Sequence, residues 1–200
     1  CNCFEEFVYV SPQHHDRDDI VEFCGGAART SVICARRHLR TGGNFDLLTG
    51  VDLNSTRDQA AARAYMEARR PIVAVISTSC TPFGPFSHLN KKLHYESWLK
   101  SYNECAPHGR FCGQIAKIQV TQRRNLDDDS AFLSEHPHPT TLYAEKQWPD
   151  VVADPTVTTE VIHQCVTGPV GPSGKPAKKT TGMTSNDEAL LMPLRKFKCD

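Results

Sequence analysis

Residues 72–87 read IVAVISTSCTPFGPFS, and the change of composition within this stretch decides how the chain is organised. Five apolar, mostly β-branched residues predict a buried strand, and the Ser, Thr, Cys and Pro residues after them predict a rigid loop. The thiol of Cys80 then lies just beyond the carboxyl end of a central strand. Because ligands of open α/β sheets bind at that edge, Cys80 is a candidate nucleophile. The alternative is a structural thiol that packs like a small apolar residue.

The length and the charge of the chain limit the classes of function that it can have. Two hundred residues suit a single domain with its own core, so we expect one domain over residues 1–200. The 23 basic residues balance the 23 acidic ones, which excludes a global basic field for nucleic acid. Any affinity for nucleic acid must come from a local patch, and residues 87–102, where lysines alternate with aromatic residues, form the candidate patch. An amphipathic helix is the other interpretation of that segment.

Nine cysteines without regular spacing favour reduced thiols in an intracellular protein. No apolar run is long enough to span a bilayer, and the first residues lack a signal peptide, so we expect a soluble protein without a membrane partner. The start at Cys1 and the end at Asp200 lead us to expect a piece of a longer protein. The candidate zinc ligands Cys105, His108 and Cys112 lie in or beside one predicted helix without a partner pair, so no metal site is predicted.

The segment before the Cys80 strand predicts a strand, a turn and a helix in that order. Residues 20–24 are apolar, Gly25 and Gly26 permit a tight turn, and apolar residues at near-helical spacing continue to Leu39. This order directs backbone N–H groups at a ligand, although the three-glycine dinucleotide pattern is incomplete. We expect Gly42-Gly43 to end the helix.

Acidic residues follow the next apolar segments. A strand is predicted over residues 45–48, and Asp46 lies twenty residues after Gly26, where ribose-binding acids of nucleotide folds fall. Asp52 is a second candidate for holding a nucleoside. A helix over about 56–70 then ends before Pro71.

The second half predicts a helix after Pro107, a strand over 131–134, a polar helix over 142–148, and a hairpin of residues 161–166 and 178–186. Glu135 directly follows the strand over 131–134. We expect Glu135 and Cys80 to meet over the same sheet edge, because both follow strands of one sheet.

The order of these motifs resembles that of the cytosine-5 DNA methyltransferases, which use S-adenosylmethionine and have the class I methyltransferase fold. Residues 79–84, SCTPFG, look like the Pro-Cys loop of that family, and residues 134–137, SEHP, look like its Glu-Asn motif. A closer resemblance is to divergent domains in retroelement polyproteins, which share the phrases FDLLTG…DL and QC…G…KP. The similarity covers about residues 20–186.

The resemblance implies a Rossmann-like α/β sandwich with a mostly parallel central sheet, helices on both faces and a C-terminal β-hairpin. It also implies methyl transfer to C5 of a cytosine flipped out of DNA, and a nuclear location in a eukaryote. Cys80 would add to C6, and Glu135 would hydrogen-bond and protonate N3. The residues expected to hold S-adenosylmethionine are Glu22, Gly25, Gly26, Asp46 and Asp52. Those expected to contact the substrate are Ser79, Thr81 and Gln164.

Several positions depart from the family pattern. Thr78 and Ser79 stand where two prolines are usual, Ala28 replaces a glycine, and the arginines of the Gln-x-Arg-x-Arg motif are absent after Gln164. No segment is long enough for a separate target-recognition domain. Two alternatives therefore stay open, an inactive methyltransferase-like module that binds nucleic acid or a protein partner, and an RNA cytosine methyltransferase.

Overall fold

The computed structural model describes residues 17–126, 129–168, 170–171, 174–175 and 179–199, so the start of the predicted 1–200 domain lies outside the described residues. A single six-stranded sheet forms its centre, in the order β2-β1-β3-β4-β6-β5. The strands are β1 (Ile20–Phe23), β2 (Thr41–Phe45), β3 (Val73–Ile76), β4 (Ala131–Pro137), β5 (Thr158–His163) and β6 (Thr180–Ser185). Strands β2, β1, β3 and β4 are parallel, and β6 runs antiparallel to both β4 and β5.

The sheet is covered on both faces, because its apolar residues alternate along the strands. Val21, Phe23 and Phe132 belong to one core, and Ile20 and Val73 belong to a second. The helices in the described residues are α1 (Arg29–Arg36), α2 (Thr56–Arg69), α3 (Ser87–Leu93), α4 (Tyr95–Leu126), α5 (Trp148–Val152) and α6 (Glu188–Leu191). Helices α2, α4 and α5 contribute to the first core, and α1 and α6 to the second. The predicted fold class, including the C-terminal hairpin of β5 and β6, is confirmed.

The prediction around Gly42-Gly43 was wrong. Helix α1 ends at Arg36, and both glycines lie inside β2. A Cβ atom at Gly42 would clash with the Tyr65 hydroxyl oxygen and would lie 2.7 Å from Val21 Cγ1, so only glycine lets the Tyr65 side chain pack against the strand here. The strand predicted over 45–48 is replaced by a 3₁₀ turn (Leu47–Thr49), because the Asp46 carboxylate accepts the Leu48 N–H and caps it.

Helix α4 is longer than predicted, and the helix predicted over 142–148 is not formed. Helix α4 passes through Pro107 without interruption, since its long buried face offsets the hydrogen bond that proline cannot donate. Residues 142–148 instead contain a 3₁₀ turn (Leu142–Ala144) and the start of α5. Gln147 separates them with φ 83°, a left-handed value that ends a right-handed helix.

Two cysteines correct the expectation of reduced thiols throughout. Cys165 and Cys199 form a disulfide that joins the segment after β5 to the C-terminal segment. Cys24, Cys34, Cys80, Cys105 and Cys112 are free thiols. Across the part of the chain that the structure describes, no helix has the length and apolar character to cross a membrane.

At the amino-terminal edge of the parallel strands, hydrogen bonds of buried polar side chains join segments that are distant in sequence. Arg17 donates to the Arg70 carbonyl at 2.6 Å and to Ser130 Oγ at 3.1 Å. Asp18 accepts hydrogen bonds from the Tyr65 hydroxyl at 2.5 Å and from Arg69 at 2.9 Å. Each contact joins segments that are distant in sequence, so this edge holds the sheet in register.

Candidate active site

The predicted nucleophile and carboxyl group lie at the opposite, carboxyl edge of the sheet. Ile76, the last residue of β3, pairs with Ser134 of β4, and Glu135 is the next residue along β4. Glu135 is therefore not beyond its own strand, as predicted, but beyond the end of β3. Strand β4 continues to Pro137 because β6 pairs with it there, Glu135 facing Met183. Cys80 is exposed in the loop that follows β3.

The Cys80 loop is held from two sides. Its turn closes on the Cys80 carbonyl, which accepts the N–H groups of Phe83 at 3.1 Å and Gly84 at 2.9 Å. The Phe83 side chain is buried, and its carbonyl accepts the Thr141 N–H at 2.9 Å. Trp98 of α4 donates Nε1–H to the Pro82 carbonyl at 3.4 Å. These contacts fix the backbone around Cys80, although Thr78 and Ser79 rather than prolines precede the thiol.

Glu135 presents a carboxylate oxygen that is enclosed by protein. Its Oε1 is buried and has no hydrogen-bond partner within the described residues. The Lys179 ammonium lies 3.7 Å from Oε1 and forms an ion pair with it. Sequence reasoning missed Lys179, because it reaches Glu135 only through the return of the hairpin that ends in β6.

His136, the next residue, is buried beneath the Cys80 loop. Its ring lies beside the backbone of Ser79 and Pro137, yet neither ring nitrogen makes a hydrogen bond of good geometry to a described residue. Burial lowers the pKa of His136 to about 4. The imidazole is therefore neutral at physiological pH and adds no positive charge beneath the nucleophile.

The other free thiols near this edge are less accessible than Cys80. Burial raises the pKa of Cys105, whose thiol contacts the Ser79 hydroxyl. A hydrogen bond with Cys24, together with complete burial, raises the pKa of Cys112 well above its usual range. A raised pKa disfavours the reactive thiolate, so Cys80 is the thiol at this edge that is open to a substrate.

Cys105, His108 and Cys112, for which the sequence predicted no metal site, all belong to helix α4. Among the described residues, no group of three or more His, Cys, Asp or Glu side chains is arranged to hold a metal ion.

The turn after β1 has the strained backbone of a ligand-facing loop. Cys24, Gly26 and Ala28 have φ values of 57°, 56° and 51°, which only the glycine adopts without cost. Glu22, buried at the end of β1, accepts the Ser31 N–H of α1 at 2.5 Å. A Cβ atom at Gly25 would lie 2.6 Å from Glu22 Oε2, whereas one at Gly26 would meet nothing within 4 Å. Gly25 therefore faces the protein, and Gly26 faces an open crevice.

Asp46 and Asn44 form the other wall of this crevice. Asp46 Oδ2 accepts the Gly26 N–H at 2.9 Å, and Asn44 Nδ2 donates to the Gly26 carbonyl at 2.9 Å. Asn44 Oδ1 and Ser31 Oγ are buried there without a hydrogen-bond partner in the described chain. Since each carboxylate oxygen accepts more than one hydrogen bond, Asp46 retains capacity for a ligand. A ligand with hydroxyl or amino groups can therefore hydrogen-bond to Asp46 at this position.

Sequence reasoning missed Asn44, although its position just before Asp46 at the end of a strand was a usable signal.

The remaining predicted site residues are more dispersed. Asp52 lies on the segment before α2, where its Oδ1 accepts the Asn54 N–H at 2.9 Å. Ser79 and Thr81 flank Cys80 and are exposed, as a substrate contact requires. Gln164 follows β5, and its N–H donates to the Lys179 carbonyl at 3.0 Å, so it adjoins the lysine that pairs with Glu135.

Comparison with known proteins shows a distant similarity to a solved structure. No family model matches the chain, and no curated protein matches it. A solved structure, the crystal structure of the S. pombe Dnmt2 methyltransferase, matches with a TM-score of 0.43 at 8% sequence identity. The match covers 84% of this chain and 49% of that chain, so the chain corresponds to about half of that protein. The fold is established by the strand order and register described above rather than by this likeness.

Proposed function

We propose that the protein transfers a methyl group from S-adenosylmethionine to C5 of cytosine in DNA, through a covalent adduct with Cys80. The observation that carries this proposal is the placement at one sheet edge of an exposed thiol, in the loop after β3, and of a carboxyl group with one buried oxygen, on the adjacent parallel strand β4. Thiol addition to a cytosine ring requires both groups together, since the thiolate attacks C6 while the ring nitrogen must be held in its protonated form.

In the proposed reaction, the Cys80 thiolate adds to C6 of the base, and Glu135 hydrogen-bonds N3 and supplies its proton. The resulting enamine is nucleophilic at C5, which cytosine itself is not. S-adenosylmethionine, when bound, supplies an electrophilic methyl group. Water then takes up the C5 proton, the bond from C6 to the Cys80 sulfur breaks as the thiolate leaves, and the N3 proton returns to Glu135, which restores the aromatic ring. The loop contacts of Phe83 and Trp98 keep the thiol in place through these steps.

We place S-adenosylmethionine in the crevice between the β1 turn and the end of β2. The Gly26 backbone offers close approach, Asp46 offers acceptors for ribose hydroxyls, and Glu22 and Gly25 hold the turn in shape. Leu47 and Leu48 beside Asp46 are 70% and 76% exposed, and they form an apolar surface suited to the adenine ring. Asp52 is proposed as a further polar contact.

A tritiated methyl-transfer assay tests the reaction. Wild-type protein is expected to label DNA, Cys80→Ala to give background counts, and Glu135→Gln to lower the rate by about 10² to 10⁴-fold. Cys34→Ala, which changes a buried thiol on the other face of the sheet, and Glu67→Gln, which changes an exposed carboxylate on α2, are the matched controls. Equal labelling by Cys80→Ala and wild type would exclude the mechanism.

The covalent step has its own test. An oligonucleotide with fluorine at C5 of cytosine should trap a denaturation-resistant adduct, because fluorine cannot leave as the C5 proton does. The adduct is expected with wild type and S-adenosylmethionine, and to be absent with Cys80→Ala. Running the assay in parallel on DNA and RNA of the same sequence decides between DNA and the RNA alternative.

A second candidate function is an inactive methyltransferase-like module that binds nucleic acid. The Glu135–Lys179 ion pair favours it, because Lys179 occupies the carboxylate oxygen that the base needs. The absence of the motif arginines after Gln164 points the same way. Calorimetry with S-adenosylmethionine separates the candidates, since absence of binding at millimolar cofactor would favour the inactive module.

A further inference from the structure

A cleft with polar and apolar walls lies between α3 and the start of α4, next to the Cys80 loop. Its volume is about 260 Å³. The residues that line it are Thr81, Asn90, His94, Ser97, Trp98 and Ser101. Thr81 immediately follows Cys80, and Trp98 is hydrogen-bonded to the Pro82 carbonyl. A ligand in this cleft would therefore lie beside the group presented to Cys80, and it would not overlap the crevice at Gly26.

The polar groups of the lining suit a neutral or anionic ligand. It contains hydroxyl, amide and imidazole groups and no carboxylate. Within the described chain, the side chains of Asn90, Ser97 and Ser101 make no hydrogen bond to the protein. Trp98 is fixed by stacking on Tyr102, with ring centroids 5.1 Å apart, and by the Lys91 ammonium 4.5 Å from its ring centroid. The cleft thus has a rigid aromatic wall and polar groups available to a ligand.

The surface around the cleft is basic and aromatic, in a chain whose total charge is zero. Residues 86–102 contain three lysines (Lys91, Lys92 and Lys100) and one glutamate. Phe86 and Tyr95 on the same segment are 74% and 49% exposed. Lysines that track phosphates and exposed rings on which bases stack are the combination that binds single-stranded nucleic acid.

From the cleft and its surroundings we infer a nucleotide-binding subsite for single-stranded nucleic acid. The cleft holds the nucleotide next to the one at Cys80, with Asn90 and Ser97 as hydrogen-bonding partners and Lys91 and Lys92 on the phosphates. The identity of the neighbouring nucleotide as a target cytosine rests on the proposed function, but binding itself does not.

Fluorescence anisotropy with a labelled cytosine-containing oligonucleotide, as single-stranded DNA and RNA, tests the subsite without methyl donor. Lys91→Gln/Lys92→Gln is expected to weaken binding about tenfold at low salt and to reduce the salt slope by about 1.4, or about 0.7 for each lost phosphate contact. Asn90→Ala/Ser97→Ala is expected to weaken binding by about fivefold to tenfold with an unchanged slope, because only neutral contacts are lost.

Two matched variants on α4 serve as controls. Lys117 and Thr121 lie 19 and 23 residues beyond Trp98, about 28 and 35 Å along the helix, so Lys117→Gln and Thr121→Ala are expected to bind like wild type. If Asn90→Ala/Ser97→Ala binds like Thr121→Ala, or if duplex DNA binds as tightly as the single strand, the inference is overturned. Since binding is read without catalysis, loss of binding in the cleft variants supports the subsite even if no methyl transfer is found. Conversely, Cys80-dependent methyl transfer with unaffected cleft variants would retain the function and reject the subsite.

Discussion

The two edges of the parallel strands differ in how many of their buried polar groups are hydrogen-bonded. At the amino edge, Arg17 and Asp18 are buried and hydrogen-bonded to groups from distant segments. Asn186 adds to this edge, accepting the Phe132 N–H at 2.9 Å and donating to the Ser130 carbonyl at 3.1 Å. The burial of these three side chains is compensated, so their contacts stabilise the fold. Gln119 is the exception at this edge, because its Nε2 donates to the Pro71 and Ala131 carbonyls while its Oε1 is buried without a partner among the described residues.

At the carboxyl edge, buried polar atoms have no partner among the described residues. They are Ser31 Oγ, Asn44 Oδ1, Thr78 Oγ1, Thr181 Oγ1 and both ring nitrogens of His136, while Glu135 Oε1 makes no hydrogen bond and has only the Lys179 ammonium 3.7 Å away. Left-handed backbone at Cys24 and Ala28 adds strain to the same edge. Each such group lowers the free energy of unfolding. Proteins retain such groups where a ligand forms the missing hydrogen bonds. The difference teaches that one edge is built for stability and the other for binding.

The largest expected effect is a pH dependence that comes from the carboxyl edge. His136 has a pKa of about 4 in the folded protein against 6.5 for the ordinary side chain. Below pH 6.5 the unfolded chain takes up a proton that the folded chain does not, so the free energy of unfolding falls between pH 6.5 and about 4, by about 3 kcal/mol in all. Urea denaturation across this range measures the fall.

His136→Leu should flatten that part of the stability profile. His138→Gln, which changes an exposed histidine two residues away, should leave the profile as in wild type. A profile for His136→Leu that is as steep as wild type would mean that the pH dependence comes from another group.

The next largest effect is expected at the amino edge. Asp18→Asn keeps the shape of the side chain but removes the charge that holds Tyr65 and Arg69, and it should lower the free energy of unfolding by about 2 kcal/mol. The Arg69 side chain is 47% exposed, so solvent screening keeps the loss below that of a fully buried pair.

Asp18 is expected to affect the free energy of unfolding over a different pH range from His136. Hydrogen bonds from Arg69 and Tyr65 outweigh burial and lower the pKa of Asp18 below 3.8, so its contribution is present above pH 3.8 and is lost only as the pH falls below that value. Asp150→Asn, in the exposed pair with Lys117, is the control and should change stability by less than about 0.5 kcal/mol. An Asp18→Asn variant as stable as Asp150→Asn would show that the amino edge does not depend on this network.

Sequence predicted those features that are set by neighbouring residues. The strand before Cys80 could be predicted because five apolar residues are followed directly by a proline-containing loop. The turn at Gly25 could be predicted from the small residues after β1. The parallel pairing of β3 with β4 then brought Cys80 and Glu135 to one edge, as the rule for open sheets requires.

The features that sequence did not predict depend on contacts between distant segments. Lys179 reaches Glu135 only because β6 inserts between β4 and β5. Gly42 lies in a strand rather than at a helix end because Tyr65, more than twenty residues later, packs against it. The Cys165–Cys199 disulfide likewise joins residues 34 positions apart, and nothing in their local sequence marks them as a pair.

The smallest expected effect is a gain of stability at the carboxyl edge. Thr78 is buried and its hydroxyl has no partner among the described residues, so Thr78→Val, which keeps the shape and removes the polar atom, should raise the free energy of unfolding by about 1 kcal/mol. The matched control is Thr184→Val in β6, where the hydroxyl contacts Tyr143 at 2.9 Å and Thr159 at 2.8 Å, and where the same change should cost about 1 kcal/mol. Chemical denaturation of the two variants at one pH compares them directly. Equal losses in both would mean that the Thr78 hydroxyl is satisfied in solution, and the contrast between the edges would then rest on the other buried polar atoms, chiefly those of Asn44 and His136.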